Sequence, residues 1–157
     1  MLKKNKQEST IPTQIRDSSF TFTVNESVGV FKFGTPISDY ISIYEYNYIV
    51  RNEEYEESRD SYEIPFFGVC LSVDESNLIT DIICNKYCYW EDTNLIGLNI
   101  DKLIDLINIK PDKIEKMMVC LNQDDVQNQT VYDFDSLGMI VWTFRKKIRR
   151  IICYQNE

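Results

Sequence analysis

The sequence predicts an α+β fold, with a mainly antiparallel sheet, two helices on one face, and an internal duplication of a helix-plus-hairpin unit. The prediction comes from two similar stretches, YEIPFFGVCLSVDESNLITDIIC at 62–84 and YDFDSLGMIVWTFRKKIRRIIC at 132–153. Each has a glycine six residues after its tyrosine and ends in I-x-x-I-I-C, once one residue is deleted at the turn. Alternating apolar and polar residues indicate two β-hairpins. A short helical pattern after a glycine precedes each hairpin, at 34–41 and 97–104.

The length of 157 residues predicts a single α+β domain over residues 19–157. The pseudo-repeats of this domain lie at about 28–85 and 93–154. Chance recurrence is the alternative to duplication, since any two hairpins share the alternation of apolar and polar side chains. Residues 1–18 are charged and lack an apolar segment, so we expect a flexible tail and no secretory signal.

In the first half, the motif Gly34-Thr35-Pro36 predicts a helix start, with Thr35 as the cap and Pro36 at the first helical position. The charged stretch Asn52–Asp60 is expected to be an exposed loop, and Asp74–Asn77 a hairpin turn. Apolar and aromatic alternation predicts the strands Ser19–Val24, Val28–Phe33, Ile43–Val50, Phe66–Val73 and Leu78–Cys84, with a short edge at Lys86–Trp90.

In the second half, Asn99 is the expected cap of a helix whose apolar stripe consists of Ile100, Leu103, Ile104 and Ile107. The apolar run Met117–Leu121 indicates a buried strand or helix end, and the polar run Asn122–Gln129 a loop. Strands are predicted at Thr130–Phe134, Gly138–Phe144 and Lys147–Tyr154.

The charge distribution suggests a binding surface. The net charge of −8 argues against non-specific nucleic-acid binding, which requires excess lysine and arginine. Most of this charge lies between Arg51 and Glu75. An acidic, tyrosine-containing segment can dock on a basic protein surface, although a solvated loop that maintains solubility is the alternative. The candidate partner-binding residues are Glu53, Glu54, Tyr55, Glu56, Glu57, Asp60, Glu63, Asp74 and Glu75.

The sequence offers little for catalysis. It contains no histidine, which excludes Ser-His and Cys-His nucleophiles and histidine-containing zinc motifs, and it has no glycine-rich phosphate loop. Cys84-x₃-Cys88 is half of a thiolate metal site, but its complementary pair is absent, because Cys120 and Cys153 stand alone. We therefore expect no catalytic residue, no metal and no cofactor. A hydrolase that uses two carboxylates is the open alternative.

Two further patterns concern the cellular location of the protein. No apolar run approaches the length of about 18 residues that a membrane span needs. Five irregularly spaced cysteines favour the reducing cytoplasm.

The basic run Arg145–Arg150 is too small for a nucleic-acid site. It is expected to protect a sheet edge or to pair with the protein's own acidic loop.

The sequence YDFDSLGMIVWTFRKKIRRIICY at Tyr132–Tyr154 resembles the C-terminal half of small bacterial immunity proteins, and VFKFGTPISDY at Val30–Tyr40 resembles the start of their first helix. These proteins neutralise polymorphic toxins, including those of contact-dependent growth inhibition systems. The resemblance implies a non-catalytic cytoplasmic protein that binds one toxin domain, often a nuclease and in some cases tRNA-directed, and covers its active site or substrate surface. A non-catalytic adaptor module and a carboxylate-dependent hydrolase are the alternatives.

Overall fold

The computed structural model describes residues 20–56 and 58–156. The helices are α1 (Ser38–Ile41) and α2 (Ile100–Ile107), and a 3₁₀ turn covers Asp135–Leu137. The strands of the first half are β1 (Phe22–Thr23), β2 (Ser27–Val28), β3 (Phe31–Lys32), β4 (Asn47–Ile49), β5 (Ser61–Ile64), β6 (Val69–Val73) and β7 (Ile79–Cys84). Those that follow are β8 (Tyr89–Trp90), β9 (Thr93–Asn94), β10 (Lys113–Asn122), β11 (Asp125–Phe134), β12 (Met139–Phe144) and β13 (Lys147–Tyr154).

Within the described residues, the main sheet has eight strands in the order β10-β11-β12-β13-β7-β6-β5-β4, and every neighbouring pair is antiparallel. Two small sheets accompany it, β1-β2-β3 and β8-β9. The strands β7 and β13 meet in the middle of the main sheet, and β4 and β10 form its edges. The predicted class, α+β with a mainly antiparallel sheet, is confirmed.

The two halves of the main sheet have matching registers. Ile83 of β7 lies opposite Ile152 of β13, and these two residues are equivalent in the sequence repeat. The two equivalent hairpins, β6–β7 and β12–β13, each contain a register shift at the same place, after Ser72 in β6 and after Trp142 in β12. A pseudo-twofold axis therefore passes between Ile83 and Ile152, perpendicular to the sheet.

The helix starts match as well. In each half, the amide of a glycine donates a hydrogen bond to the carbonyl of the isoleucine that follows the hairpin turn. The amide of that isoleucine donates in return to the carbonyl of the residue after the glycine. The bonds are Gly34 N to Ile79 O at 2.8 Å, Ile79 N to Thr35 O at 3.0 Å, Gly97 N to Ile148 O at 2.8 Å and Ile148 N to Leu98 O at 2.9 Å. A duplication would produce such matches. That the two halves descend from a common ancestor stays a hypothesis.

The core lies on one face of the main sheet. Leu71, Ile82, Val141 and Ile151 are fully buried there, because alternate strand residues point to the same face. Both helices contribute side chains to the same apolar cluster: Tyr40 from α1, and Ile100, Leu103 and Ile107 from α2. On the opposite face, a row of half-buried side chains crosses the four central strands: Cys70, Ile83, Ile152 and Ile140.

The two helix predictions have different outcomes. Asn99 caps α2, since its side chain accepts a hydrogen bond from Asp101 N at 2.9 Å, which confirms that prediction. The predicted cap Thr35 is wrong, because α1 begins at Ser38 after Ile37 and has no side-chain cap. Thr35 donates instead to Lys32 O, and Pro36 forms a β-bridge with Leu78. The sheet therefore holds this segment extended, which delays the helix.

The second half differs most from prediction. The predicted buried segment Met117–Leu121 lies in β10, and Met118 is 72% exposed. The predicted loop Asn122–Gln129 is wrong, because β11 already begins at Asp125. Polar residues can occupy strands when neither face of the strand is buried, and the exposure of this hairpin on both faces accounts for both errors.

In the first half, the sequence patterns did not predict β5. The predicted strand Val28–Phe33 is interrupted at Gly29, which has φ +59°. Three predicted strands are shorter than expected: Ser19–Val24 is reduced to β1, Ile43–Val50 to β4 and Phe66–Val73 to β6. The predicted tail, residues 1–18, lies outside the described residues.

Candidate protein interface

The acidic residues of the first half gather at one end of the main sheet. The loop Arg51–Asp60 follows β4 and leads to β5, and the turn Asp74–Asn77 joins β6 to β7. Because β5 and β6 are antiparallel neighbours, the start of β5 and the end of β6 lie together, and Val73 N donates to Asp60 O at 3.0 Å. We call the loop Arg51–Asp60 with the turn Asp74–Asn77 the acidic end.

Hydrogen bonds within the loop fix its shape. Arg51 N donates to Asp60 Oδ1 at 2.9 Å, so this carboxylate closes the base of the loop. Asn52 N donates to Ser58 Oγ at 2.8 Å, and Glu54 N donates to Asn52 Oδ1 at 3.0 Å. These hydrogen bonds hold the described residues of the loop in place, which reduces the entropy lost when a partner binds.

The tip of the loop presents its side chains to solvent. Glu53, Glu54 and Glu56 are exposed, and Tyr55 is 64% exposed. Glu57 lies outside the described residues. The structure thus brings the four described tip residues of the predicted site together on one exposed loop.

Three other residues of the predicted site accept hydrogen bonds that stabilise the fold. Asp60 closes the loop, as described above. Asp74 Oδ1 accepts hydrogen bonds from Ser76 N at 2.9 Å and Leu78 N at 3.0 Å, so it stabilises the turn. Glu63 is half-buried in β5 and accepts from Asn47 Nδ2 at 3.1 Å. Glu75 is exposed on the turn and stays available to a partner.

Sequence reasoning missed an aromatic group beside the loop. Tyr46 and Tyr48 flank the start of the edge strand β4 and are both exposed. Their rings pack against the ring of Tyr62, with centroid distances of 5.7 and 5.0 Å. Tyrosine is enriched at protein interfaces because it combines a large apolar surface with a hydroxyl group. The alternation of tyrosines directly before the acidic run was the available indication.

A cavity of about 400 Å³ opens beside the acidic end, and Asp74 and Asp81 both line it. Burial raises the pKa of Asp81, although a hydrogen bond from Thr80 and the nearby Arg59 guanidinium, 4.0 Å from its carboxylate, act in the other direction. The other lining residues are Gly34, Arg59, Leu78, Ile79, Thr80, Tyr154 and Gln155. One oxygen of the Asp74 carboxylate, Oδ1, already accepts from two backbone amides of the turn, whereas Asp81 accepts from the Thr80 hydroxyl and lies near Arg59.

The basic run lies at the other end of the sheet. The strands β7 and β13 are antiparallel, so the turns that precede them are at opposite ends. The prediction that the run pairs with the protein's own acidic loop is therefore wrong. Lys146 pairs instead with Asp101 at 3.4 Å, and the Arg145 guanidinium lies 4.9 Å from the centre of the Phe144 ring.

Three thiols form the group that best matches a metal site among the described residues. The sulfur atoms of Cys84, Cys88 and Cys153 lie within 4.8 Å of one another, and all three residues are fully buried. Cys153 therefore does not stand alone, as the sequence suggested. Burial raises the pKa of the Cys153 thiol well above its usual range.

Coordination by this trio has an electrostatic cost. Three thiolates around a divalent ion leave a net negative charge, and an unpaired charge in an apolar core is costly. Structural zinc also takes four protein ligands. We therefore interpret the trio as small apolar side chains that fill the core.

No protein-family model, curated protein or solved structure matches the chain. None of the helices in residues 20–56 and 58–156 has the length and apolar character needed to cross a bilayer.

Proposed function

We propose that the chain is an immunity protein that binds a cognate bacterial toxin domain in the cytoplasm and neutralises it. The acidic end is the contact, and a nuclease toxin is the expected partner, because its substrate surface must be basic to hold phosphates. The observation that carries the proposal is the self-ordered loop with its exposed tip, Glu53–Glu56.

The electrostatics of the molecule support this role. The hairpin turns at the two ends of the sheet carry opposite charges, Asp74-Glu75 at one and Arg145-Lys146-Lys147 at the other. The acidic end can therefore orient the molecule towards a basic surface before contact. The exposed side chains of Tyr46, Tyr48 and Tyr55 supply apolar area near the carboxylates. Charged groups steer the encounter, whereas buried aromatic groups slow dissociation. Both features are needed for an inhibitor that acts by stoichiometric binding.

The second candidate function is hydrolysis in the cavity beside the acidic end, because Asp81 has a raised pKa and shares this cavity with Asp74. General acid–base catalysis by two carboxylates needs both groups free to exchange protons. Asp74 Oδ1 is occupied by two turn amides. Binding is therefore the better-supported function, and an adaptor that binds a protein other than a toxin is a variant of it.

Co-expression with the toxin domain encoded beside the gene tests the proposal. We expect the two chains to co-purify in a fixed stoichiometry and the nuclease activity of the toxin domain to disappear in the complex. Asp81→Asn serves as the control for hydrolysis and should inhibit the toxin as well as the wild type does. Full toxin activity in the presence of an equimolar amount of this protein would refute the proposal, and loss of inhibition in Asp81→Asn would favour the hydrolase.

A further inference from the structure

The hairpin of β10 and β11 extends beyond the sheet. Pairing between β11 and β12 begins at Thr130, which lies opposite Lys116 in β10. The segment Met117–Gln129 therefore pairs only with itself, and we call it the ribbon. It projects about 20 Å at about 3.3 Å per residue. An isolated two-stranded hairpin is only marginally stable in water, so a ribbon of this length requires additional support.

The ribbon exposes apolar side chains on both faces. Met117, Leu121 and Val126 are exposed, and Met118 is the most exposed large apolar side chain of the described residues at 72%. Its outer strand β10 is also an edge of the main sheet, and no strand of the described residues pairs with its outer side. Edge strands are normally protected by charges, prolines or shortness. The stretch Met117–Leu121 has none of these.

The other edge of the sheet is protected. The strand β4 contains only three residues, and the acidic loop follows it directly. Short length and nearby carboxylates both discourage strand addition. The two edges occupy equivalent positions in the two halves, and only the β10 edge is open to pairing.

We propose that β10 pairs antiparallel with β10 of a second copy of this chain, about a twofold axis at Met118. In this register Met118 faces Met118 of the partner subunit, and Met117 faces the partner's Val119. Opposite residues share a face in an antiparallel pair, so an apolar group forms at the centre of the contact. The eight-stranded sheets of the two copies become one continuous sheet.

The charges favour this register. Pairing about Glu115 or Lys116 would place two identical charges opposite each other, which is unfavourable. Pairing about Met118 places Lys116 opposite the partner's Cys120. It also brings Asp124 and Asp125 at the ribbon tip next to the partner segment that carries Lys113. The edge therefore carries charges of both signs, which an antiparallel second copy can place side by side.

The molecule contains a junction of the same type. At the centre of the sheet, the equivalent strands β7 and β13 pair antiparallel about Ile83 and Ile152. The proposed dimer repeats this arrangement at the free edge, with two identical strands in place of two equivalent ones. The proposal is independent of toxin binding, because the acidic loop adjoins the opposite edge of the sheet.

Substitutions at Met118 test both the contact and the register. We expect the wild type to be a dimer in sedimentation velocity. Met118→Glu and Met118→Lys should each weaken the dimer association constant by about tenfold or more, because like charges would face each other across the axis. An equimolar mixture of the two variants should recover association, because opposite charges then meet. The exposure of Met118 makes both changes compatible with folding, which far-UV circular dichroism checks.

The matched control is Ile43→Glu, which places the same charge at an exposed position of the first half and should leave the dimer intact. A monomeric wild type, or a dimer that persists in both Met118 variants, would overturn the proposal. So would a mixture that fails to associate. If the wild type is a monomer and Met118→Glu instead weakens binding of the toxin domain, the edge belongs to that partner.

Discussion

The two halves of the molecule share a core and differ at their outer strands. In the first half the hairpin β6–β7 is extended by short β5 and β4 and an acidic loop, whereas in the second half β12–β13 is extended by the ten-residue strands β11 and β10. The hairpin turns also differ, with Asp74-Glu75 in one and Arg145-Lys146 in the other. The comparison indicates that packing constrains the centre of the sheet, and that the edges are where the halves have acquired separate binding properties.

The largest expected effect is a difference in stability between the alanine variants of the equivalent glycines Gly68 and Gly138. Both have positive φ, 61° and 64°, so alanine costs about 1–2 kcal/mol at either position. A Cβ at Gly138 would also clash with the backbone carbonyl of Tyr154, which cannot move without the strand. At Gly68 it would clash with the base of the exposed Lys86 side chain, whose Cγ and Cδ a change of rotamer can displace at a smaller cost. We expect Gly138→Ala to lower the free energy of unfolding by about 3 kcal/mol or more, and Gly68→Ala by about 2 kcal/mol. Urea denaturation of both variants measures the difference, and equal losses would contradict it.

The next effect concerns a contact that the second half lacks. The Tyr40 hydroxyl accepts a hydrogen bond from Lys32 N at 3.0 Å and donates to Val30 O at 3.1 Å, and so ties α1 to the small sheet β1-β2-β3. Its equivalent in α2 is Leu103, which has no polar group. Tyr40→Phe should destabilise the protein by about 1–2 kcal/mol, since two backbone groups lose a partner. Thermal unfolding checks this, and an unchanged Tm would show that water replaces the hydroxyl.

The smallest effect is a pH dependence at Asp81, whose equivalent in the second half is Arg150. Burial raises its pKa in the folded state above the usual 3.8, so the ionised carboxylate is disfavoured by folding. This penalty is present above the folded pKa and is lost as the pH falls through it towards 3.8. Asp81→Asn should therefore be slightly more stable than the wild type at neutral pH, and the difference should disappear in acid. A difference that is independent of pH would contradict the assignment.

The sequence was informative where side chains alternate between a buried and an open face. The hairpins 69–84 and 139–154 obey this rule and have the same register. The single deletion shortens the second turn, which has four residues between the paired Thr143 and Ile148, against five between Val73 and Ile79. The sequence failed where neither face of a strand is buried. In the ribbon, polar residues such as Asn128 predict a loop and the apolar Met118 predicts burial, whereas both residues lie in strands and are exposed. Periodicity cannot separate these cases, because the burial depends on strands that are distant in sequence.

The sequence predicted some features of the candidate site and missed others, as it did for the fold. The exposure of Glu53, Glu54 and Glu56 follows from a dense run of like charges, which solvates readily. The use of Asp60 and Asp74 as backbone acceptors depends on loop geometry that a charge count does not contain. Tyr46 and Tyr48 join the site only because β4 is an edge strand. Sequence therefore predicted the charge of the surface, and the fold determined which of its residues are available.

The association rate with the toxin domain tests the central claim most directly. Glu54→Lys combined with Glu56→Lys reverses two exposed charges at the loop tip, and Glu91→Lys with Asp105→Lys is the control with the same net charge at exposed positions elsewhere. If the acidic end steers binding, the loop variant should associate about tenfold to a hundredfold more slowly at low salt and should depend less on salt, while the control stays close to the wild type. Equal rates and equal salt dependence in the wild type and the loop variant would contradict the assignment of the acidic end as the contact surface.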